Sequence, residues 1–494
     1  MSSWTLQQVA QHKTPESCWV IIHNKVYDVT EFLPGHPGGA EIILKYAGRD
    51  ATSVYDPVHP PDALDKNLPL SKHLGSLDSK SIDAVAKERS NVSRTKDEIR
   101  VEQARKRMPP LRRILNLLDM ENVAGQILSH KAFAYYSSAS DDEMSTYSWP
   151  CHNSNIENAR AFTRYFFKAR VMRPVSHCDP STTILGFKSS IPVFVSGAAL
   201  AKLGHPDGEV NITQGAFKES IIQMVSSNAS LSPATVMEAA HPTQTLFFQL
   251  YKHRNDELAE KRVRDIESLG YRAIFLTVDA IVPGNREKDV RSPWILEEQE
   301  TGPVYHLEAD NDLSKEDVNI FGTAGALIAN DDRDMTWEKT IPWLRKISKL
   351  PIVIKGIQCV EDAVLAAEAE VDGILLSNHG GDSHFLPSSA LPPLEVLYSL
   401  RQHRPDIFSR VEGGVRRGTD VVKAVCLGAR AVGMGRPFLY AQSAYGVDGV
   451  VKIVQILKRE ITTAMRLVGA STVEDLKPEM VQRVDWQTYI HPKL

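Results

Sequence analysis

Between residues 192 and 435 the chain repeatedly alternates a short apolar run with an amphipathic stretch, and the apolar runs number eight. They fall at 192–197, 221–227, 245–251, 273–279, 351–356, 373–378, 410–414 and 431–435, and most lead into a helical pattern such as 256–269, 337–350 or 419–427. Unbroken apolar runs, as opposed to alternating ones, belong to strands buried on both faces, which implies a parallel sheet covered by helices. Eight of them in about 250–300 residues predict an α/β fold closed as a (β/α)8 TIM barrel. The interval between the fourth and fifth strands is far longer than the others and polar in its middle. It predicts a lid loop over the barrel mouth at about 284–335.

At 494 residues the chain has room for a second, smaller domain. A net charge of −4 leaves no electrostatic footprint for nucleic acid or for an anionic membrane surface. No apolar run reaches the roughly 18–20 residues that span a bilayer. The five cysteines (Cys18, Cys151, Cys178, Cys359 and Cys426) have no CxxC spacing, so a metal cluster and a disulfide framework are both disfavoured. A cytoplasmic protein is the simplest expectation. The last residues, Pro492-Lys493-Leu494, open a peroxisomal alternative through their similarity to a Ser-Lys-Leu address.

The amino-terminal part differs in pattern. Short apolar runs around a turn at Asn24 read as a hairpin, and residues 76–105 are polar and poor in aromatics, as an exposed linker would be. Within it stand His36-Pro37-Gly38-Gly39 and, further on, His59-Pro60-Pro61. These, with the flanking Tyr27-Asp28-Val29-Thr30-Glu31-Phe32-Leu33 and Tyr46-Ala47-Gly48, resemble cytochrome b5. The resemblance implies a small α+β haem domain over 1–77, a hinge over 78–105 and the barrel over 106–494. It also implies that His36 and His59 ligate haem b axially. Two imidazoles leave iron no open position, so such a haem carries electrons and does not activate oxygen.

Downstream, Ser377-Asn378-His379-Gly380-Gly381 and two glycine–arginine loops, Glu412-Gly413-Gly414-Val415-Arg416 and Gly433-Met434-Gly435-Arg436, resemble the FMN-dependent 2-hydroxy-acid dehydrogenases. With the haem domain in front, the whole chain is similar to the flavocytochrome b2 family. By that resemblance His379 is the base that takes a proton from the substrate and Asp279 is its carboxylate partner. Tyr135 and Tyr251 bond the substrate. Ser226, Gln249, Thr277 and Lys355 contact the flavin ring, and Gly414, Arg416, Gly435 and Arg436 hold the FMN phosphate. The implied partners are a small hydroxy substrate and a one-electron acceptor such as cytochrome c. The resemblance also implies a homotetramer and, as a further localisation, the mitochondrion.

One position departs from the family. Asp382 stands where the family places an arginine for the substrate carboxylate. At an effective dielectric of about 20, two unit charges ~4 Å apart interact by ~4 kcal/mol, so an aspartate there predicts poor turnover of L-lactate and glycolate. Arg286 matches a second family arginine near the same end of the pocket. It is expected either to take the carboxylate, as an L-lactate dehydrogenase (cytochrome) would require, or to pair with Asp382. The competing expectation is a flavin and haem electron-transfer protein that has lost substrate turnover.

Overall fold

The computed structural model describes residues 3–36, 40–56, 58–59, 63–91, 94–138, 156–280, 282, 284, 286–302, 322–328, 330–381, 390–407 and 409–484. Its amino-terminal unit is a five-stranded sheet. Strands β1 (Ser17–Ile22) and β2 (Lys25–Asp28) form the expected hairpin, and β3 (His73–Leu77) pairs with β2. His23 and Asn24 both take positive φ, at 50° and 61°, the left-handed pair that lets a two-residue turn follow the twist of its strands.

Residues 78–105 are not the irregular linker that their polarity suggests. They carry helix Ser79–Asn91 and helix α1 (Lys96–Lys106). Val85 is buried with Val9, Ile21, Val26 and Leu77, which anchors the first helix to the haem unit. The second starts in a capping box: Thr95 Oγ1 accepts from Glu98 N at 3.1 Å, and the Glu98 carboxylate accepts from Thr95 N at 3.0 Å. Of the predicted lid, helix Glu287–Thr301 and helix Gly322–Ile328 are described, and residues 303–321 lie outside the described residues.

All eight predicted barrel strands form, in parallel and closed on themselves. They are β4 (Val193–Val195), β5 (Gln223–Ser226), β6 (Leu246–Leu250), β7 (Ile274–Thr277), β8 (Ile352–Ile357), β9 (Gly373–Leu376), β10 (Ser409–Glu412) and β11 (Ala429–Met434). The two-residue period of a strand sorts the barrel interior into layers. A middle layer is apolar: Phe194, Met224, Phe247, Phe275, Val353, Leu375 and Ala431 pack in one cluster. Two residues further along every strand, toward the carboxyl ends, the chain instead supplies Ser196, Ser226, Gln249, Thr277, Lys355, Ser377, Glu412 and Gly433. The apolar layer keeps water from below, and the polar layer forms the floor of whatever binds above. Among the described residues no helix is long and apolar enough to cross a membrane.

Candidate active site and cofactor sites

The polar layer carries a chain of hydrogen bonds across three neighbouring strands. Ser226 Oγ donates to Gln249 Oε1 at 2.9 Å, and Gln249 Nε2 donates to Thr277 Oγ1 at 2.7 Å. All three side chains are buried, so the bonds hold each amide and hydroxyl in one orientation.

Asp279, just past β7, forms the centre of the charged cluster. Its Oδ1 lies 2.8 Å from His379 Nδ1, and Lys355 Nζ stands 3.3 Å from its Oδ2. Lys355 Nζ is also 3.3 Å from His379 Nδ1 and 3.7 Å from Glu412 Oε2. Burial pushes the Asp279 carboxyl up, but Lys355 and His379 more than offset this and hold it well below the usual carboxylate range. An ionised Asp279 can only accept, so His379 Nδ1 carries the proton it shares with that carboxylate. Nε2 is then the basic nitrogen, and it faces Tyr251 Oη at 3.2 Å.

The backbone is shaped for this contact. Gly356, with φ +111°, sits at a bulge in β8, and a Cβ there would lie 2.4 Å from Asp279 Cβ. His379 itself takes φ +54° and is fixed by its N–H bond to Ser377 Oγ at 2.9 Å. A non-glycine residue in the left-handed region at the end of a barrel strand is backbone strain held where the chemistry is.

Above this floor opens a cavity of about 770 Å³. Tyr135, Ser226, Tyr251, Arg286, Lys355 and His379 line one part of it, and Gly414, Arg416, Gly435 and Arg436 line another. Gln249, Thr277 and Asp279 are buried behind that lining. The structure thus brings the predicted residues of the barrel together. Arg286 has partners that the sequence did not suggest. Its guanidinium stacks over the Tyr135 ring at 4.8 Å, donates to Ser138 Oγ at 2.9 Å, and also reaches the Tyr135 carbonyl. Asp382 lies outside the described residues.

Two contributors were missed. Asn158 and Asn378 form a reciprocal pair of amide hydrogen bonds, each 2.8 Å, that joins helix Ile156–Thr163 to the histidine loop. Gly414, φ +74°, passes so close to Asn158 that a Cβ would meet its backbone at 2.3 Å. Asn378 lies inside a motif already singled out, whereas nothing in sequence marks Asn158.

The site fits FMN. Ser196 Oγ and Glu412 Oε2 are buried without a hydrogen-bond partner among the described residues, which is costly unless a ligand supplies one. Around the cavity are glycine loops that open helix α2 (Gly418–Cys426) and helix α3 (Arg436–Val468), the arrangement that receives a phosphate.

The amino-terminal unit fits a haem in the same way. The His36 and His59 rings have centres 6.1 Å apart and planes 25° apart. Two metal–nitrogen bonds of about 2 Å plus two imidazole radii come to about 6 Å. His59 Nδ1 lies 3.0 Å from the Tyr55 carbonyl, which fixes the tautomer with Nε2 as the free ligand atom. Burial pushes the His59 imidazole down to about 4, so it is neutral as a ligand must be. Next to it in sequence, Val58 packs against the barrel's main core cluster, so the haem loop docks on the barrel.

Comparison with known proteins agrees with both halves. Residues 124–483 match the FMN-dependent dehydrogenase family and residues 5–79 match the cytochrome b5-like heme/steroid binding domain. An L-lactate dehydrogenase (cytochrome) of Wickerhamomyces anomalus is 43% identical over 487 residues, covering 97% of this chain and 79% of the relative. The Saccharomyces cerevisiae enzyme of that name is 40% identical over 482 residues, covering 96% and 78%. Among solved structures, a flavocytochrome b2 double mutant with pyruvate bound superposes with a TM-score of 0.68 at 39% identity, over 79% of this chain and 92% of that one. A mandelate oxidase superposes with a TM-score of 0.63 at 29% identity, over 75% and 98%. With the His379–Asp279 contact, the polar floor and the facing His36 and His59 rings on the page, the chain belongs to the FMN-dependent dehydrogenase family and is a flavocytochrome b2-like oxidoreductase acting on CH–OH groups with FMN and haem b.

Proposed function

We propose that this chain oxidises the α-carbon of a 2-hydroxy compound with His379 as the base, and the observation that carries this is the arrangement of Tyr251 Oη, His379 and Asp279 beside Lys355. His379 Nε2 takes a proton from the substrate. Asp279 stabilises the imidazolium that results, because an ionised carboxylate 2.8 Å from Nδ1 gains most when the ring becomes charged. Tyr251 orients the reacting oxygen. Held here, FMN would supply the two-electron acceptor and haem b a one-electron carrier toward an outside acceptor. Lys355 contributes a fixed cation, buried at 2% exposure, where negative charge builds up.

The acceptor we propose is a cytochrome, by analogy with the two yeast relatives. For the substrate we propose a 2-hydroxy compound that is neutral or cationic where lactate carries its carboxylate, such as an ester, amide or amino-bearing molecule. Asp382 supports this, since it replaces a cation with an anion. L-lactate is the second reading. It rests on the names of the relatives and on Arg286 lining the cavity. The engagement of Arg286 by the Tyr135 and Ser138 groups weighs against it.

Rapid-mixing measurement of flavin reduction across hydroxy acids, their esters and amides tests the assignment. The ester or amide is expected to be preferred, and Asp382→Arg is expected to raise turnover of the simple acids. Efficient L-lactate turnover by the unmodified protein would assign the carboxylate to Arg286 instead.

A further inference from the structure

Tyr251 lies one residue beyond the end of β6, so its backbone is outside the barrel's strand ladder. Its N–H donates to Ser227 Oγ at 3.2 Å, and on its other side the Lys252 carbonyl accepts from Asp332 N at 2.7 Å. Asp332 belongs to the segment by which the chain leaves the lid. That segment runs antiparallel to the Tyr251 loop: His253 bridges Asp331, and the Asn330 carbonyl accepts from Arg254 N at 2.9 Å. A two-stranded contact this short is marginal in water, so side chains have to hold it.

Lys252 is placed to do so. It is only 6% exposed, which a lysine rarely is unless paired. Its Nζ lies 2.7 Å from Asp332 Oδ2 and 2.5 Å from Asp256 Oδ1, and stands 4.9 Å over the Trp343 ring. Four elements therefore meet at one ammonium: the Tyr251 loop, the lid exit, helix Asp256–Leu269 and helix Trp337–Ile347. The two carboxylates differ in weight. The Asp256 side chain is 70% exposed and screened by water, whereas that of Asp332 is 18% exposed and depends on the lysine. Burial pushes the Lys252 ammonium toward neutrality, but the two carboxylates more than offset this and keep it charged.

The lid helix Gly322–Ile328 ends two residues before Asn330, and its Leu327 and Ile328 line the cavity. Asp289 holds its start by accepting from Thr323 N at 2.7 Å, and the Leu327 carbonyl accepts from Asn228 Nδ2 at 3.3 Å. Tyr251 Oη, 3.2 Å from His379 Nε2, and the lid helix are thus attached to opposite strands of the same short contact.

We propose that Lys252 is a positioning residue: its ion pair with Asp332 clamps the lid exit to the Tyr251 loop, so that one contact both aims Tyr251 Oη at the reacting oxygen and holds the lid helix over the substrate. The inference rests on the reading of His379 as the base and of Tyr251 as the group that orients the reacting oxygen. Lys252 does not line the cavity and acts through Tyr251. Without the ammonium, Asp332 is a largely buried carboxylate lacking its counter-charge, which draws water between the two strands.

The test uses the full-length holoprotein and a double-mutant cycle. In rapid mixing with the best substrate of the panel, Lys252→Met is expected to lower the limiting rate of flavin reduction about tenfold, the effect of one misplaced hydrogen bond. Lys252→Arg keeps a cation that stacks on an aromatic ring and is expected to stay within about threefold of the parent. In a Tyr251→Phe background, Lys252→Met is expected to change the rate by less than about twofold, because the hydroxyl it positions is gone. An equal loss in both backgrounds is what an ion pair that only supports the fold would give, and it would overturn the proposal. A second readout needs no substrate: in Lys252→Met, amide hydrogen exchange is expected to speed up about tenfold in both 250–256 and 330–334 while strand Gly373–Leu376 is unchanged. Unchanged exchange in either segment also overturns the clamp. If no hydroxy compound reduces the parent's flavin, the reading of His379 fails while the exchange data still decide the clamp. Should Lys252→Met fail to fold, Asp332→Asn is expected to show the same non-additivity with Tyr251→Phe and the same two accelerated segments, and the same contrary results count against it.

Discussion

Lys355 Nζ and Asp279 Oδ2 face each other at 3.3 Å with almost no solvent between them and the core, at 2% and 0% side-chain exposure. This ion pair sets the protonation state of the site. It keeps Asp279 ionised, and an ionised Asp279 keeps the Nδ1 proton on His379 and the Nε2 lone pair toward the substrate. Removing one partner of a buried pair leaves the other charge uncompensated, which typically costs 3–5 kcal/mol.

Lys355→Met is accordingly expected to lower stability by about that amount at neutral pH. The deficit should shrink as pH falls. In the parent, the Asp279 pKa is depressed on folding, so its stabilising contribution is present above the unfolded carboxylate range, near 4, and is lost as pH falls through the folded value. Without Lys355 that depression weakens. Chemical denaturation of parent and variant at pH 7 and at about pH 3, below the unfolded carboxylate value near 4, measures the difference.

Asp279→Asn is expected to keep FMN bound while slowing flavin reduction by ~10²–10⁴. An amide can leave the wrong imidazole nitrogen protonated and does not stabilise the imidazolium. Flavin absorbance after gel filtration reports retention, and rapid mixing with substrate reports the rate.

His36→Ala and His59→Ala are each expected to eliminate the Soret band of haem b while leaving substrate-driven flavin reduction within about threefold of the parent. The two rings belong to a unit with its own hydrophobic core, built around Cys18, Val20, Tyr27 and Leu33. Loss of both signals together would mean that the barrel depends on the haem unit for its fold.

The barrel was legible because its signal is redundant. Each strand repeats the same apolar run, and the observed bounds differ from the expected ones by only a few residues at each end. The layering inside the barrel was legible in principle from the two-residue step, as from Val353 to Lys355 or Phe275 to Thr277. The helices over 78–105 were hidden because their stability comes from packing of Val85 and from a capping box, not from a broad apolar stripe. Asn158 was hidden because its partner, Asn378, is 220 residues away.

The central claim is that His379 starts the transfer and the haem receives what the flavin collects. Simultaneous stopped-flow recording at a flavin and a haem wavelength tests it most directly, comparing the parent with His379→Gln on the best substrate of the panel. The parent is expected to show flavin reduction followed by haem reduction. The variant, with FMN and haem still bound, is expected to lose both phases by ~10²–10⁴ in rate while its haem still accepts electrons from a chemical reductant. Haem reduction by substrate at the parent's rate in the variant would contradict the account.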